Sequence, residues 1–222
     1  MHKKLKFWVI SDTHTHHEDL SIPDDIDGVI HAGDGSAIQD TKLNEMEMFD
    51  FLEWFDSLNV KYKIFIPGNH DTSVERGLWD IKTIKEKFPS IIVLIDETVI
   101  IEGIKIFGSP YTPSFGHGWA FNCSRSSIDK HWSRIEEGTD IVVTHGPAKG
   151  MLDLTRTGDK VGCATLLFRV GQIKPKYCIC GHIHEEGGKQ LVDQGYPGTT
   201  FINAAVVNLY HIVKNNGHII EI

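Results

Sequence analysis

Short, unbroken apolar runs recur along the chain, each cut off by a polar or glycine-containing turn. They cover residues 5–14, 28–36, 62–71, 140–147 and 177–184, and stop at Asp12, Asp34, Pro67-Gly68, His145 and Gly181. Apolar runs without alternation, bounded by turn signals, predict strands buried on both faces. Between them lie helical patterns. Over 41–58, Leu43, Met46, Phe49, Phe51, Leu52, Trp54, Phe55 and Leu58 recur near the helical period, which predicts a core helix. Residues 78–88, 127–137 and 164–171, the last ahead of Pro175, also read as helices. Two segments read as antiparallel: a hairpin over 98–110 around Glu102-Gly103, and a tail over 199–222 of two strands, an Asn216-Gly217 turn and a third strand. With no repeat or linker, 1–222 reads as one α/β domain with mixed sheets.

Composition narrows the function classes. Of 222 residues 41% are apolar and 23% charged, ordinary for a globular protein, and the net charge is −8. That balance argues against broad binding to nucleic acid or anionic membranes, so an anionic substrate needs a local source of positive charge. The apolar stretch Phe7 to Ile10 is too short for a signal-peptide core, and the best apolar run, 91–95, is far below membrane-spanning length. A cytoplasmic protein is expected. Cys123, Cys163, Cys178 and Cys180 lack paired ligand spacing and read as reduced, buried thiols rather than a zinc knuckle.

The chemistry-bearing residues gather where the strands stop: Asp12 and His14, Asp34, Asn69 and His70, His145, His182 and His184. In open α/β sheets ligands bind beyond the carboxyl ends of strands, so these ends are expected to converge. Carboxylate oxygen, imidazole nitrogen and an amide oxygen suit manganese, iron or zinc, and exclude all-oxygen calcium and thiolate zinc sites. In extended chain, residues two apart point the same way, so Asp12/His14 and His182/His184 can each aim two ligands at one place. Two adjacent cations need a shared carboxylate, and Asp34 stands alone at its strand end.

The order D-T-H, G-D, G-N-H-D, T-H-G-P and G-H-I-H over residues 12–184 resembles the calcineurin-like metallophosphoesterase superfamily. Residues 108–122, 144–150 and 180–188, with the tail "INAAVVN", resemble its metallophosphoesterase-domain-containing subgroup, which is similar to cyclic-nucleotide phosphodiesterases. The resemblance implies a four-layer α-β-β-α sandwich of two mixed sheets, with both antiparallel segments in the second sheet. It implies a first metal on Asp12, His14, Asp34 and His184, and a second on Asp34, Asn69, His145 and His182. Manganese or iron is favoured, and zinc is compatible. Some subgroup members carry glycine where this chain has His182; the histidine here implies a complete dinuclear site. His70 would contact the phosphoryl oxygen or leaving group, and Asp71 would orient it by accepting its other N–H. The implied activity is hydrolysis of a small-molecule phosphodiester or cyclic nucleotide by metal-activated hydroxide. A phosphomonoesterase or phosphoprotein phosphatase is the same-class alternative, and a non-catalytic protein-binding scaffold the different-class one. A nuclease is disfavoured for want of a basic stripe.

Other residues carry weaker expectations. His117, with Trp119, Phe121 and Asn122, reads equally as a substrate wall or as loop packing. Arg125 is a candidate phosphate contact. His16 and His17 read as surface loop, His31 as a structural strand residue that orients a ligand, and His2, His131, His211 and His218 as incidental.

Overall fold

A computed structural model describes residues 4–222; His2 lies outside them. The chain runs β1 (Lys6–Ile10), β2 (Gly28–His31), α1 (Thr41–Ser57), β3 (Tyr62–Phe65), α2 (Thr72–Glu75), α3 (Ile81–Lys87), β4 (Ile91–Val93), β5 (Glu97–Ile101) and β6 (Ile104–Ser109). It continues through β7 (Thr112–Pro113), β8 (Asn122–Cys123), α4 (Asp129–Trp132), β9 (Ile141–Thr144), α5 (Ala164–Ile173), β10 (Tyr177–Cys180), β11 (Lys189–Val192), β12 (Thr200–Asn203) and β13 (His218–Glu221). Two large mixed sheets result, ordered β13-β1-β2-β3-β4 and β11-β12-β10-β9-β6-β5.

The strands' two faces explain their unbroken apolar character. Phe7 and Val9 of β1 turn inward with Ile30 and Ile64, against Ile106, Ile141, Val143, Ile179 and Ile202 of the other sheet. Trp8 and Ile10 turn outward with Val29 and Phe65 onto Met48, Phe51, Leu52 and Phe55 of α1. On the far side, Phe107, Val142, Cys178 and Phe201 pack on Leu166 and Val170 of α5 and on Trp132. This is the expected α-β-β-α order. Cys178 and Cys180 are buried, free thiols whose pKa burial raises, that of Cys178 to about 12. No helix among the described residues is long and apolar enough to cross a membrane.

Several boundaries differ from expectation. The 78–88 helix shortens to α3 because Asp80, accepting from Thr83 N–H at 2.7 Å, caps it there. Only Asp129–Trp132 of 127–137 is helical. On α1, Leu43, Met46 and Phe49 are exposed, so only part of its apolar pattern is core. The hairpin at Glu102-Gly103 forms, both residues at positive φ (49° and 89°) as a two-residue turn requires. The tail does not form one. Gly217 adopts φ 72°, but β13 pairs antiparallel with β1, so the tail divides: β12 joins the second sheet as expected, and β13 joins the first. The Asn216 side chain bonds the Ser21 backbone and its carbonyl accepts from Trp8 Nε1, which diverts the turn toward β1.

Candidate metal centre

Parallel strands bring the named residues to one edge. β1, β2 and β3 run parallel, as do β6, β9, β10 and β12, and the loops after β1, β2, β3, β9 and β10 meet. The loops after β1 and β2 are zipped together: Asp12 N–H donates to Gly33 O (2.8 Å), His14 N–H to Asp34 O (3.1 Å) and Thr15 N–H to Gly35 O (3.1 Å).

Convergence is not achieved by extended chain. Asp12 (φ 53°), His14 (42°), Asp34 (59°) and His182 (66°) all occupy the left-handed region. That conformation is costly for residues with a Cβ and clusters at functional sites. It turns these side chains to one side, a job the two-residue period of a strand was expected to do.

Hydrogen bonds fix which lone pairs face inward. His14 Nδ1–H donates to Ser36 O at 3.0 Å, so its Nε2 lone pair points into the site. That nitrogen stands 3.3 Å from His184 Nε2, 3.8 Å from Asp34 Oδ2 and 3.9 Å from Asp12 Oδ1. His145 Nδ1–H donates to Ala32 O at 2.9 Å, leaving Nε2 at 2.9 Å from Asn69 Oδ1 and 3.3 Å from Asp34 Oδ2. His184 Nε2 lies 3.2 Å from Asp12 Oδ1. His14 and His145, the centres of the two sets, thus each turn an acceptor toward other acceptors, and only protons or cations reconcile such contacts. Asp34, His145 and His182 form one group that could hold a metal ion, His14, His184 and His211 a second, and His14, Asp34 and His70 a third, with ligand atoms within 4.8 Å in each. The carboxylate of Asp34 faces both His14 and His145, so it lies where the two sets meet. The donor chemistry fits divalent cations of the manganese, iron and zinc class.

The electrostatics agree. Burial alone would raise the carboxyl of Asp12, but the hydrogen bond and charge of His184 outweigh it and hold it low; His145 and His70 do the same for Asp34. His14 and His182 are pushed down to about 3 by burial. Burial also opposes protonation of His145, yet Asp34 overrides it and raises His145 to about 9.

His70 sits beside this cluster. Its backbone N–H donates to Asp34 Oδ1 (2.7 Å), and its Nδ1–H donates to Ala37 O (2.6 Å). Asp71 therefore does not accept from His70. Its buried carboxylate accepts instead from the N–H groups of Gly68 (2.7 Å), Asp34 (3.0 Å) and Ser36 (3.1 Å) and from Ser36 Oγ (2.6 Å). It ties two ligand-bearing loops together, and burial with the nearby Asp34 charge raises its pKa to about 6. Asn44 of α1, unremarked in the sequence, donates to Ser36 Oγ, Ile38 O and His70 O and accepts from Ser73. A buried asparagine inside an apolar helix pattern was the available signal.

The remaining expectations divide. The aromatic wall is built by Trp119, 4.5 Å from His70, and Phe115, 4.9 Å from His182, ring centre to ring centre. His117 is exposed and offers its carbonyl to Gln39, while Phe121 is buried. Arg125 reaches the neighbourhood of His182, but its two terminal nitrogens donate to Gly162 O (3.0 Å) and Val161 O (2.6 Å). His31 accepts from Gly33 N–H at Nδ1 and so donates from Nε2 to Thr13 Oγ1, bracing the Asp12–His14 loop as expected, though through Thr13. His17 is not surface loop: it is buried against Phe51 and Trp54 and paired with Asp50. His131 is not incidental either, being buried, stacked on Tyr111 and bonded to Asp96.

His211 was also expected to be incidental, and it is at the site. Its ring stacks on His14 at 4.1 Å and 2°. A lone pair lies in the plane of its ring, so an ion in the plane of His14 lies outside the plane of His211. His211 covers the first set rather than completing it. Nothing in its sequence spacing linked it to the other histidines, because the tail's pairing with β1 brings it there.

A family model described as calcineurin-like phosphoesterase matches residues 5–186. Human metallophosphoesterase domain-containing protein 1 is 34% identical over 98% of this chain and 71% of its own length. A Caenorhabditis elegans UPF0046 protein is 31% identical over 98% of this chain and 60% of its own. The structure of TT1561 from Thermus thermophilus superposes with a TM-score of 0.65 at 9% identity, covering 90% of this chain and 89% of that one, a likeness of fold. With the family's motif residues gathered at one sheet edge, this chain belongs to the calcineurin-like phosphoesterases.

Proposed function

We propose that the protein is a dinuclear-metal phosphoesterase that hydrolyses phosphodiester or cyclic-nucleotide bonds. The observation that carries this reading is the Asp34 carboxylate standing between two sets of facing lone pairs. Asp12, His14, Asp34 and His184 would hold one cation, and Asp34, Asn69, His145 and His182 the other, with manganese or iron favoured. When bound, the two cations supply the positive charge the chain lacks and acidify water for attack on phosphorus. The chain's own residues do the rest. Ser36 O and Ala32 O fix the tautomers of His14 and His145. Ala37 O holds His70 by its Nδ1–H, leaving Nε2 to meet a phosphoryl or leaving-group oxygen. Phe115 and Trp119 stand beside His182 and His70 on that side.

The diester preference rests on the resemblance of residues 108–122, 144–150 and 180–188 to the subgroup similar to cyclic-nucleotide phosphodiesterases. A small-molecule substrate in the cytoplasm is the setting we propose. The test is metal analysis of the purified chain together with turnover of p-nitrophenyl monoesters, p-nitrophenyl diesters and cyclic nucleotides. Two metals per chain and faster diester cleavage are expected. A metal-free preparation that keeps full turnover would sink the reading, and faster monoester cleavage would replace it with a phosphomonoesterase.

A further inference from the structure

Beside His182 lies a cavity of about 230 Å³, walled by Pro113, Phe115, Pro147, Val161 and Ile183. We propose that it receives a flat, apolar, ring-sized group attached to phosphorus, and selects that group by shape rather than by hydrogen bonds. The inference rests on the phosphoesterase reading above, which seats the phosphoryl group at Asp34.

Three observations carry it. First, the cavity adjoins the centre through His182. His182 lines it and also shares a potential metal position with Asp34 and His145, and the half-exposed Phe115 stands over His182. A group attached to phosphorus at Asp34 has this cavity as its adjoining apolar space.

Second, the two polar side chains on the wall other than His182, Arg125 and Thr155, already have hydrogen-bond partners. Arg125 donates to Gly162 O and Val161 O, and Thr155 Oγ1 bonds Asp159 O (3.2 Å) and Thr157 Oγ1 (2.9 Å). They are poorly placed to read the edge of a base or the hydroxyls of a sugar.

Third, the floor is rigid. Gly162 N–H donates to buried Asp153 Oδ2 at 2.9 Å, and Gly162 packs so closely on Ala148 that a Cβ would meet its carbonyl oxygen at 2.6 Å. A pre-formed apolar cavity binds without paying to order itself. A smaller apolar cavity of roughly 150 Å³ accepts benzene, so this one has room for a substituted ring.

Burying one ring should gain roughly tenfold to hundredfold in affinity. The probes are phenylphosphonate and methylphosphonate, which present similar phosphoryl groups and are not hydrolysed. They are titrated by calorimetry into the manganese-supplemented full chain. Phenylphosphonate should bind at least about tenfold more tightly. Val161→Trp should abolish that advantage while leaving methylphosphonate affinity within about twofold. Phe115→Ala, at an exposed wall position, should reduce it. Equal affinities would overturn the proposal, as would an advantage that survives Val161→Trp in a protein melting like the wild type. Should Val161→Trp not fold, an undiminished advantage in Phe115→Ala is the overturning result. Phenyl preference without turnover of any ester leaves the cavity assignment standing and removes the hydrolase reading. Turnover without phenyl preference removes the cavity assignment alone, and failure of both phosphonates to bind removes both.

Discussion

One methyl group added at Gly68 tests the centre where its packing is tightest. The Cβ of Gly68→Ala would lie 2.2 Å from Asp34 Oδ1, 2.5 Å from Asp34 N and 2.7 Å from His145 Cε1. Real Cβ atoms essentially never come closer than 3.0 Å, so about 0.8 Å of movement is required at Asp34. None of these atoms is a loose side-chain tip. Asp34 Oδ1 accepts from His70 N–H, Asp34 N–H is held by Asp71, and the His145 ring is pinned to Ala32 O. Gly68 itself is not in the left-handed region, so the penalty is one of space alone.

Overpacking of this kind costs about 1–3 kcal/mol. For a chain of this size that lowers the melting temperature by about 2–4 °C per kcal/mol. The shift also exceeds the roughly 0.2 Å tolerance of metal–ligand distances, so manganese affinity should fall on the order of 10- to 100-fold. Calorimetric manganese titration reads the second effect, and thermal melting in chelator reads the first. Wild-type manganese affinity in Gly68→Ala would refute the reasoning whatever the melting temperature did, because Asp34 would not have moved or would not be a ligand.

Four further outcomes follow from the same geometry. His70→Ala should keep its metal content by elemental analysis and lose roughly 10²- to 10⁴-fold in turnover. Asp71→Asn turns an amide donor toward N–H groups that need an acceptor, and should cost about 1–3 kcal/mol by denaturant titration, with weaker metal binding. His31, buried, has its pKa pushed down to about 3 by desolvation, whereas the unfolded side chain titrates near 6.5. Between those values the unfolded chain takes up a proton that the native state refuses. Stability in chelator should therefore fall with falling pH, and His31→Asn should remove about 1.4 kcal/mol per pH unit from that slope. His211→Ala should leave manganese affinity within about threefold, because its ring plane misses the first position, whereas His184→Ala should lose far more.

What the letters reveal depends on whether a residue's position is set locally or by distant pairing. The strands announce themselves because each buries both faces, as Phe7 and Trp8 do on opposite sides of β1. The ligand blocks are legible because they fall at the ends of those strands. The Glu102-Gly103 hairpin is legible because its turn is local. Asn216-Gly217 carries an equally strong local signal and misleads: the competing partner is β1, at the other end of the chain, with Ser21 and Trp8 fixing the bend. His211 is misread for the same reason. His17 is misread because alternation of polar and apolar residues says nothing about a histidine buried between two aromatic rings of a neighbouring helix. Asp71 is misread because its neighbour in sequence, His70, was an obvious partner, whereas three backbone N–H groups satisfy a carboxylate better than one imidazole does.

Left-handed backbone at Asp12, His14, Thr15, Asp34 and His182 explains how these errors and successes coexist. A strand that simply continued would also point Asp12 and His14 the same way. The chain leaves strand geometry here, and it is the reversed φ at these positions that sets where their side chains go, at about 1–2 kcal/mol per residue. The loop zipper and the four hydrogen bonds to Asp71 offset that cost in the folded chain. The strained loops therefore hold these side chains together themselves, as groups that could receive a cation. A sequence records which residues bear the chemistry, but a sign of φ is enforced by the neighbouring loop, and so it becomes visible only once both loops are in place.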